Sequence, residues 1–407
     1  MTGPSATDQI PPTAPTFPGL DTIRAVAAVW VVMTHVGFWT GFYSHGLLGA
    51  MTQRLEVGVA LFFVLSGFLL SYPWLRQLRT GARRDSAGRY AFKRVLRILP
   101  VYWVAVVAAV LLVPQNAGTS LPRAIDSLLL IDIYKDGLPL EGLSQMWSLA
   151  TEVAFYITLP LLMAVLVRLV AGREWRPGRV LAVLGVIALG SLVWVALAAG
   201  PLAPWGGWVT QALPGYLGWF SIGIGFAVLD VDRRHAVPGQ ELAATRWCRT
   251  AAAAPWTCWV IAAAVMFVAS TPIVGPVTLV GRTSTQLVCR AILFGIVAAA
   301  VVLPSIFGNP STVYARIMAH PALRHLGHIS YSLFCCHVIV IAVMFDRLDL
   351  TPFSENMWLV LGAVLAVSLA ISEVLYRVVE LPFLRLKNLG RRKPAAATAE
   401  TPARTSS

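Results

Sequence analysis

The sequence predicts an all-α membrane protein, built as a bundle of about ten transmembrane helices. Of its 407 residues, 57% are hydrophobic and only 13% are charged, whereas about 25% of the residues in a soluble domain are charged. Long apolar runs recur along the chain, each suited to cross the bilayer as a helix. The first run begins near residue 19, and the others cover about 57–74, 98–113, 147–167, 180–199, 211–229, 255–271, 286–307, 326–345 and 357–380.

The basic residues predict how these helices are oriented. The segments assigned to one side hold 24 of the 32 Lys and Arg residues, and they are 75–97, 168–179, 230–254, 308–325 and the tail from 381. The opposite side holds Arg54, Arg123, Lys135, Arg282 and Arg347. By the positive-inside rule, both termini are cytoplasmic, which fits a multi-pass protein of the cell (plasma) membrane. The net charge of +13 therefore reflects topology, and we expect no nucleic-acid partner.

The chain is expected to consist of a membrane domain with two polar ends. Residues 1–18 are rich in Pro, Thr and Ser and predict a disordered lead, and 387–407 predict a disordered tail. The membrane domain, 19–386, must then carry the chemistry in its helices or loops. The five cysteines lack metal-ligand spacing, so no metal site is expected.

Three ionisable residues, Asp21, Arg24 and His35, lie in the first apolar run. Such groups cost about 2.5–3.5 kcal/mol each at membrane depth on insertion scales, so they are more often functional than structural. The step of eleven residues from Arg24 to His35 returns to nearly the same helix face, and Asp21 is one turn from Arg24. The alternative is that Asp21 and Arg24 form a cap and ion pair at the water interface, with His35 in an interhelical hydrogen bond.

The fourth run places Glu152 about one and a half turns below the outer interface, with Trp147 as an interfacial anchor and Tyr156 one turn further on. On the predicted topology, His35 lies at a similar depth. A His–Glu pair suits general-base chemistry, because the carboxylate orients the imidazole and stabilises its protonated form. A buried ion pair that fixes helix register is the alternative.

Other candidates lie in the second and ninth runs and at the entry to the third run. Arg94 and Arg97 share one face, where arginine forks can bind the phosphates of a nucleotide-linked thioester, although basic loops also set topology and bind anionic lipid. Ser66 either permits close helix packing or leaves room for a slender ligand. His337, two turns after Tyr331, is either a second acid/base or a packed core histidine.

Taken together, these segments resemble acyltransferase family 3, the integral-membrane enzymes that O-acylate sugars, glycans, lipids and antibiotics. The resemblance covers about residues 19–386. The matching residues are Leu20, Asp21, Arg24 and His35; Phe62 to Phe68; Arg94, Arg97, Ile98, Pro100, Tyr102 and Trp103; Trp147, Ser148, Leu149, Glu152, Phe155 and Tyr156; Ser330, Tyr331, Ser332, Leu333 and His337; and Glu380 and Pro382. The chain departs from the family pattern at Val153, Cys335 and Cys336.

The resemblance implies a donor and an acceptor. The donor is acyl-CoA, most simply acetyl-CoA, bound from the cytoplasm by Arg24, Arg94 and Arg97, and the acceptor is a hydroxyl group activated by His35. The catalytic set that we predict is His35, Glu152, Arg24 and Asp21, and the predicted substrate-binding set is Tyr156, Trp147, Tyr331, His337 and Ser66. A proton-coupled secondary transporter or flippase is the alternative, because ten helices with intramembrane Arg, His and Glu also describe such a carrier.

Overall fold

Long helices that run up and down make up the fold. The computed structural model describes residues 15–135, 139–172, 174–237, 239–277 and 281–386. Within these residues, nine helices are long and apolar enough to cross a membrane, and a bent helix pair raises the count to ten. The same residues contain no β-strand. The predicted all-α class of about ten transmembrane helices is confirmed.

The ten helices are numbered here in chain order. They are α1 (Pro18–Trp39), α2 (Gly58–Thr80), α3 (Ala87–Leu112), α4 (Met146–Val165), α5 (Pro177–Ala198), α6 (Leu217–His235), α7 (Pro255–Ala269), α8 (Ser284–Phe307), α9 (Pro321–Arg347) and α10 (Met357–Leu375). Each overlaps one predicted run. The largest difference is at α3, which starts three turns before its apolar run because Ser86 caps the basic first turns by accepting a hydrogen bond from the Arg89 N–H.

One crossing differs from the others. Helix α7 has 15 residues and spans about 22 Å, which is short of the roughly 30 Å hydrocarbon core. The helix Ala243–Ala252 precedes it and meets it at 92°. The span that raises the count from nine to ten is therefore a broken helix, formed by Ala243–Ala252 and α7.

The predicted polar ends fall mostly outside the described residues, which begin at 15 and stop at 386. Helix α1 begins at Pro18, inside the predicted lead, and the ring of Phe17 packs edge-on against Phe68, with centroids 4.9 Å apart. The lead therefore makes contact with the bundle before residue 19.

We call the end of the bundle that holds the start of α1 the terminal face, and the opposite end the far face. Arg79, in the last turn of α2, donates a hydrogen bond to the carbonyl of His235 at the end of α6 over 2.6 Å. At the other end, Ser284 at the start of α8 donates to the carbonyl of Ala196 in α5 over 2.9 Å. These bonds tie the helices together in the predicted up-and-down order.

Glycines allow the central helices to approach closely. A Cβ at Gly67 of α2 would overlap the carbonyl of Phe220 in α6, and one at Gly223 would overlap the carbonyl of Val64. At Gly327 of α9, a Cβ would overlap the backbone of α1. Small residues at such crossings bring backbones together in membrane bundles. The packing sets the rotation of α1, α2 and α9, whose side chains build the site described next.

Candidate active site

Helices α1, α2, α3, α4 and α9 enclose a polar cavity inside the bundle. Its polar lining consists of Arg24, Ser66, Arg94, Arg97, Ser148, Glu152, Tyr156, Ser330 and Tyr331. The apolar lining consists of Phe62, Phe63, Leu65, Leu69, Leu70, Ile98, Leu149 and Phe334. Most of the residues that the sequence analysis singled out therefore meet in one place, although they come from five helices.

Glu152 is held by two hydroxyl groups in this cavity. Its Oε1 accepts a hydrogen bond from Ser66 Oγ and another from Tyr156 OH over 2.6 Å. The hydroxyl of Ser66 thus binds the carboxylate of Glu152, while the neighbouring Gly67 allows α2 to pack closely against α6. Hydrogen bonds from hydroxyl donors fix the direction of a carboxylate as well as stabilising its charge.

Three guanidinium groups share the cavity with that carboxylate. The side chains of Arg24 and Arg97 are 25% and 30% exposed, so the cavity opens to solvent beside them. Arg94 lies with its guanidinium 5.9 Å from the centroid of the Tyr156 ring, and its buried Nε has no hydrogen-bond partner among the described residues. A buried donor without an acceptor is costly, so Arg94 is suited to bind an oxygen of a ligand.

Asp21 does not line the cavity. One of its oxygens is 3.0 Å from Arg24 Nη1, and the other faces Arg324 at 3.4 Å and His328 at 3.6 Å. Asp21 therefore holds Arg24 from outside the cavity wall. In this position it orients the guanidinium and does not face a substrate.

His35 and His337 form a pair on α1 and α9. Their rings are 5.0 Å apart, and His337 Nε2 is 3.3 Å from His35 Nδ1. The Nδ1 of His337 lies 2.9 Å from the carbonyl of Phe334, and that of His35 lies 2.8 Å from the carbonyl of Val31. A carbonyl only accepts, so both Nδ1 atoms carry protons.

These bonds fix the tautomers of the pair. His337 Nε2 carries no proton in the neutral ring, and it accepts from His35 Nδ1–H. The lone pair of His35 is then on Nε2, which has no hydrogen bond to the described part of the chain. His337 is fully buried and His35 is partly exposed. His35 is accordingly the partly exposed ring of the pair, with a nitrogen that has no hydrogen bond to the described residues, and neither histidine lines the cavity.

The predicted contact between His35 and Glu152 is wrong. His35 bonds to Val31 and His337, whereas Glu152 bonds to Ser66 and Tyr156. Phe334 is near both groups, because its ring lines the cavity that contains Glu152 and lies 6.1 Å from the ring of His337. Residue counts gave similar depths for the two side chains, but Glu152 shares the cavity with Arg24, which lies eleven residues, about 16 Å, before His35 on nearly the same face of α1.

Two further residues differ from expectation. Trp147 does not line the cavity; its ring packs against Tyr216, with centroids 5.3 Å apart. Glu380 was not among the predicted site residues, yet this buried carboxylate lies 3.8 Å from Arg97 and accepts a hydrogen bond from Ser332. Its place in the Glu-x-Pro element near the end of the last apolar run is the signal that could have identified it.

Metal coordination finds no support in the described residues, which contain no group of three or more His, Cys, Asp or Glu side chains placed to hold an ion.

Comparison with known proteins identifies the family. The chain matches acyltransferase family 3, described as an acyltransferase domain, over residues 17–377. The acyltransferase MdmB of Streptomyces mycarofaciens is 26% identical over 97% of this chain and 97% of its own length. The peptidoglycan O-acetyltransferase OatA of Listeria monocytogenes is 24% identical over 90% of this chain and 55% of its own length.

Nodulation protein 10 of Rhizobium leguminosarum is 27% identical over 42% of this chain and 49% of its own length. The chain thus spans about half the length of two of these relatives and nearly all of MdmB. No solved structure matches it.

The fold and the cavity define an integral-membrane protein with an internal site of arginines and a carboxylate, and with a histidine pair outside the lining of that cavity. The chain belongs to acyltransferase family 3, and its described residues include nine helices, or ten with the bent pair, that could span a membrane.

Proposed function

We propose that this protein transfers an acyl group, most simply acetyl, from acyl-CoA to a hydroxyl group of a sugar, glycan, lipid or secondary metabolite. The observation that carries the proposal is the convergence of Arg24, Arg94 and Arg97 on one internal cavity. Within the cavity lining these guanidiniums face one carboxylate, Glu152, while Asp21 and Glu380 pair with Arg24 and Arg97 from outside the lining. Guanidinium groups that converge in this way are suited to bind the phosphates of a donor.

The donor would enter from the terminal face, which the positive-inside rule predicts to be cytoplasmic. Arg24 and Arg97, whose side chains are 25% and 30% exposed, would bind the phosphates. The Nε of Arg94, which is buried and has no hydrogen-bond partner among the described residues, would donate to the thioester oxygen. A donor aimed at this oxygen stabilises the negative charge that develops there during acyl transfer.

His35 is the proposed general base. Its Nε2 would take the proton of the acceptor hydroxyl as the oxygen attacks the carbonyl carbon of the thioester. The carbon–sulfur bond then breaks, and the proton passes to the leaving thiolate of CoA. The Val31 carbonyl and His337 Nε2 both accept from His35 Nδ1–H and together hold the required tautomer, as the third member of a catalytic triad does.

Glu152 receives a different role from the one the sequence suggested. Its bonds to Ser66 and Tyr156 and its position among the arginines suit it to position the cavity wall and to limit repulsion between the guanidiniums. Tyr331 donates its hydroxyl to the carbonyl of Ile98 over 2.8 Å, so it offers its ring to the substrate.

Binding of radiolabelled acetyl-CoA to the protein in nanodiscs tests the proposal. We expect saturable binding that unlabelled CoA displaces, and weaker binding of acetyl-pantetheine, which lacks the nucleotide phosphates. Transfer of the label to a hydroxylated acceptor from a membrane extract would complete the test. A protein that binds no acetyl-CoA, or that carries the extract's solutes into proteoliposomes without acylating them, would overturn the proposal in favour of a transporter.

A further inference from the structure

A second cavity lies near the far face, between α5, α6 and the start of α8. Its volume is about 360 Å³, which is within the range of small-molecule sites. It is lined by Trp194, Val195, Ala198, Thr210, Gln211, Gly215, Tyr216, Trp219, Arg282, Leu287, Arg290 and Ala291. None of these residues lines the first cavity.

Positive charge is concentrated at this second cavity. Arg290 is paired with Glu56 over 2.9 Å, and the same carboxylate is 3.8 Å from Arg54, which is fully buried behind the cavity. Arg282 donates to the carbonyl of Pro276 over 3.3 Å. Three guanidiniums therefore share one carboxylate, and burial together with the Arg290 charge lowers the pKa of Arg282.

The positive-inside rule does not predict a concentration of arginines at this face. Few basic residues occur on the far side, and Arg54 and Arg282 are among them. Cations are disfavoured there by the positive-inside rule and are costly to bury. Arg54 is tied to the carbonyls of Ala269 and Gly275, but its Nη1 has no hydrogen-bond partner in the described chain. An anion in the cavity would offset the excess charge.

The aromatic residues of the cavity offer carbon surfaces. The indole N–H of Trp194 donates to the carbonyl of Val209, and that of Trp219 donates to the carbonyl of Ala291. The hydroxyl of Tyr216 donates to a backbone carbonyl as well. With these polar groups occupied, the side chains present apolar ring surface next to arginine donors. The combination suits a ring-shaped ligand that carries an acidic group.

An aromatic contact joins the two cavities. Phe63 lines the first cavity, and its ring lies 5.5 Å from that of Tyr216 and 6.2 Å from that of Trp219, both of which line the second. A ligand in the second cavity would therefore be one aromatic layer from the proposed donor site.

We infer that the second cavity binds the acceptor, and that the acceptor is a sugar bearing a carboxylate or phosphate group. The ring stacks against Trp194, Tyr216 and Trp219, and the oxyanion pairs with Arg282 and Arg290. This assignment rests on the proposed function, because it makes the ligand the acceptor of the acyl group. Entry from the far face would keep the donor and the acceptor on opposite sides of the bundle.

The test compares glucuronate, glucose 6-phosphate and glucose as probes, titrated into the protein in phosphatidylcholine nanodiscs. We expect both anionic sugars to bind at least tenfold more tightly than glucose, with an affinity that falls as salt rises. Arg282→Gln should weaken their binding about tenfold, because it removes a cation without breaking the pair between Arg290 and Glu56. The matched control is Arg347→Gln, which removes an exposed far-face arginine and should change nothing.

Two measurements keep the outcome decisive. Acetyl-CoA binding should be unchanged in Arg282→Gln. If the proposed function is wrong, the wild-type protein will fail to bind acetyl-CoA. If only the acceptor site is wrong, acetyl-CoA will bind and the sugar probes will not behave as expected. Equal binding of glucose and the anionic sugars, or wild-type binding by Arg282→Gln, would overturn the inference. Displacement of glucuronate by phosphatidylglycerol in the nanodisc would also overturn it, since the cluster would then be a lipid headgroup site.

Discussion

At the scale of single residues, the two histidines are interdependent. His337 is fully buried and is bonded to its own helix, and its remaining nitrogen contacts His35 Nδ1. His35 is left with one available nitrogen, Nε2. The pair therefore contains one proposed base and one positioning residue.

Replacing His35 with Ala should lower turnover by about 10²- to 10⁴-fold, the usual contribution of a general base, and should leave acetyl-CoA binding intact. His337→Ala should cause a smaller loss and shift the pH profile of turnover, because His35 Nδ1–H loses one of its two acceptors and keeps only the Val31 carbonyl. The double variant should be no worse than His35→Ala, since residues that act as a unit are not additive. Turnover above a tenth of wild type in His35→Ala would contradict the base assignment.

The arginines of the first cavity lead to a separate prediction. Arg94→Ala should raise the KM for acyl-CoA more than the KM for the acceptor, because its unpaired Nε is expected to face the donor. Arg94→Lys should restore only part of the loss, since a planar fork becomes a point charge. Steady-state kinetics at two salt concentrations measure both effects.

The control for this prediction is Arg83→Ala. Arg83 is an exposed arginine in the loop before α3, so its removal changes the charge of the same face without touching the cavity. Equal effects of Arg94→Ala on both substrates would indicate a role in lipid binding or folding instead.

At the scale of helices, the crossing of α2 and α6 fixes where Ser66 points. A Cβ at Gly223 would overlap the carbonyl of Val64 and lie 2.7 Å from the amide nitrogen of Phe68. Gly225, one half-turn on, has only Leu181 nearby, at 3.7 Å. The two glycines therefore differ in what a methyl group would meet.

Gly223→Ala should destabilise the protein by about 1–3 kcal/mol, which is the usual cost of overpacking, and should lower activity because α2 must shift. Gly225→Ala should be neutral or slightly stabilising, since Ala restricts the unfolded chain. Thermal unfolding in detergent, followed by intrinsic fluorescence, compares the two. Similar unfolding temperatures for both variants would mean that the close crossing is absent.

At the scale of the whole molecule, the charge distribution predicts that the terminal face is cytoplasmic. Gly88, at the start of α3, is exposed with no heavy atom within 4 Å of its Cβ position, and Ser354 is exposed on the far face. Each can carry a cysteine without disturbing the bundle.

In intact cells, an impermeant maleimide should label Ser354→Cys but not Gly88→Cys, and disrupting the cells should make Gly88→Cys reactive. The parent protein measures the background from its five native cysteines, four of which are buried. The reverse labelling pattern would invert the topology and with it the proposed sides of donor and acceptor.

The sequence by itself determined the fold class and most of the members of the cavity. Each span is a local property, because about twenty apolar residues cross a bilayer whatever they pack against. The family elements are also local. Arg24, Arg94, Glu152 and Tyr156 lie in short sequence motifs that match the family pattern, and these motifs mark them as candidates before any contact is known. Their common cavity was not predicted, because the sequence placed Glu152 near the outer interface and Arg94 at the cytoplasmic entry of the third helix.

Only the tertiary structure decided which partners those residues have. His35 meets His337, 302 positions away, instead of Glu152, and Arg97 faces Glu380. The charge cluster at the second cavity likewise joins Glu56 to Arg290, 234 positions apart. The physical reason is that residue counts along separate helices fix neither how far neighbouring helices are shifted along one another nor how each is rotated about its axis, and both depend on the close packing at residues such as Gly67, Gly223 and Gly327.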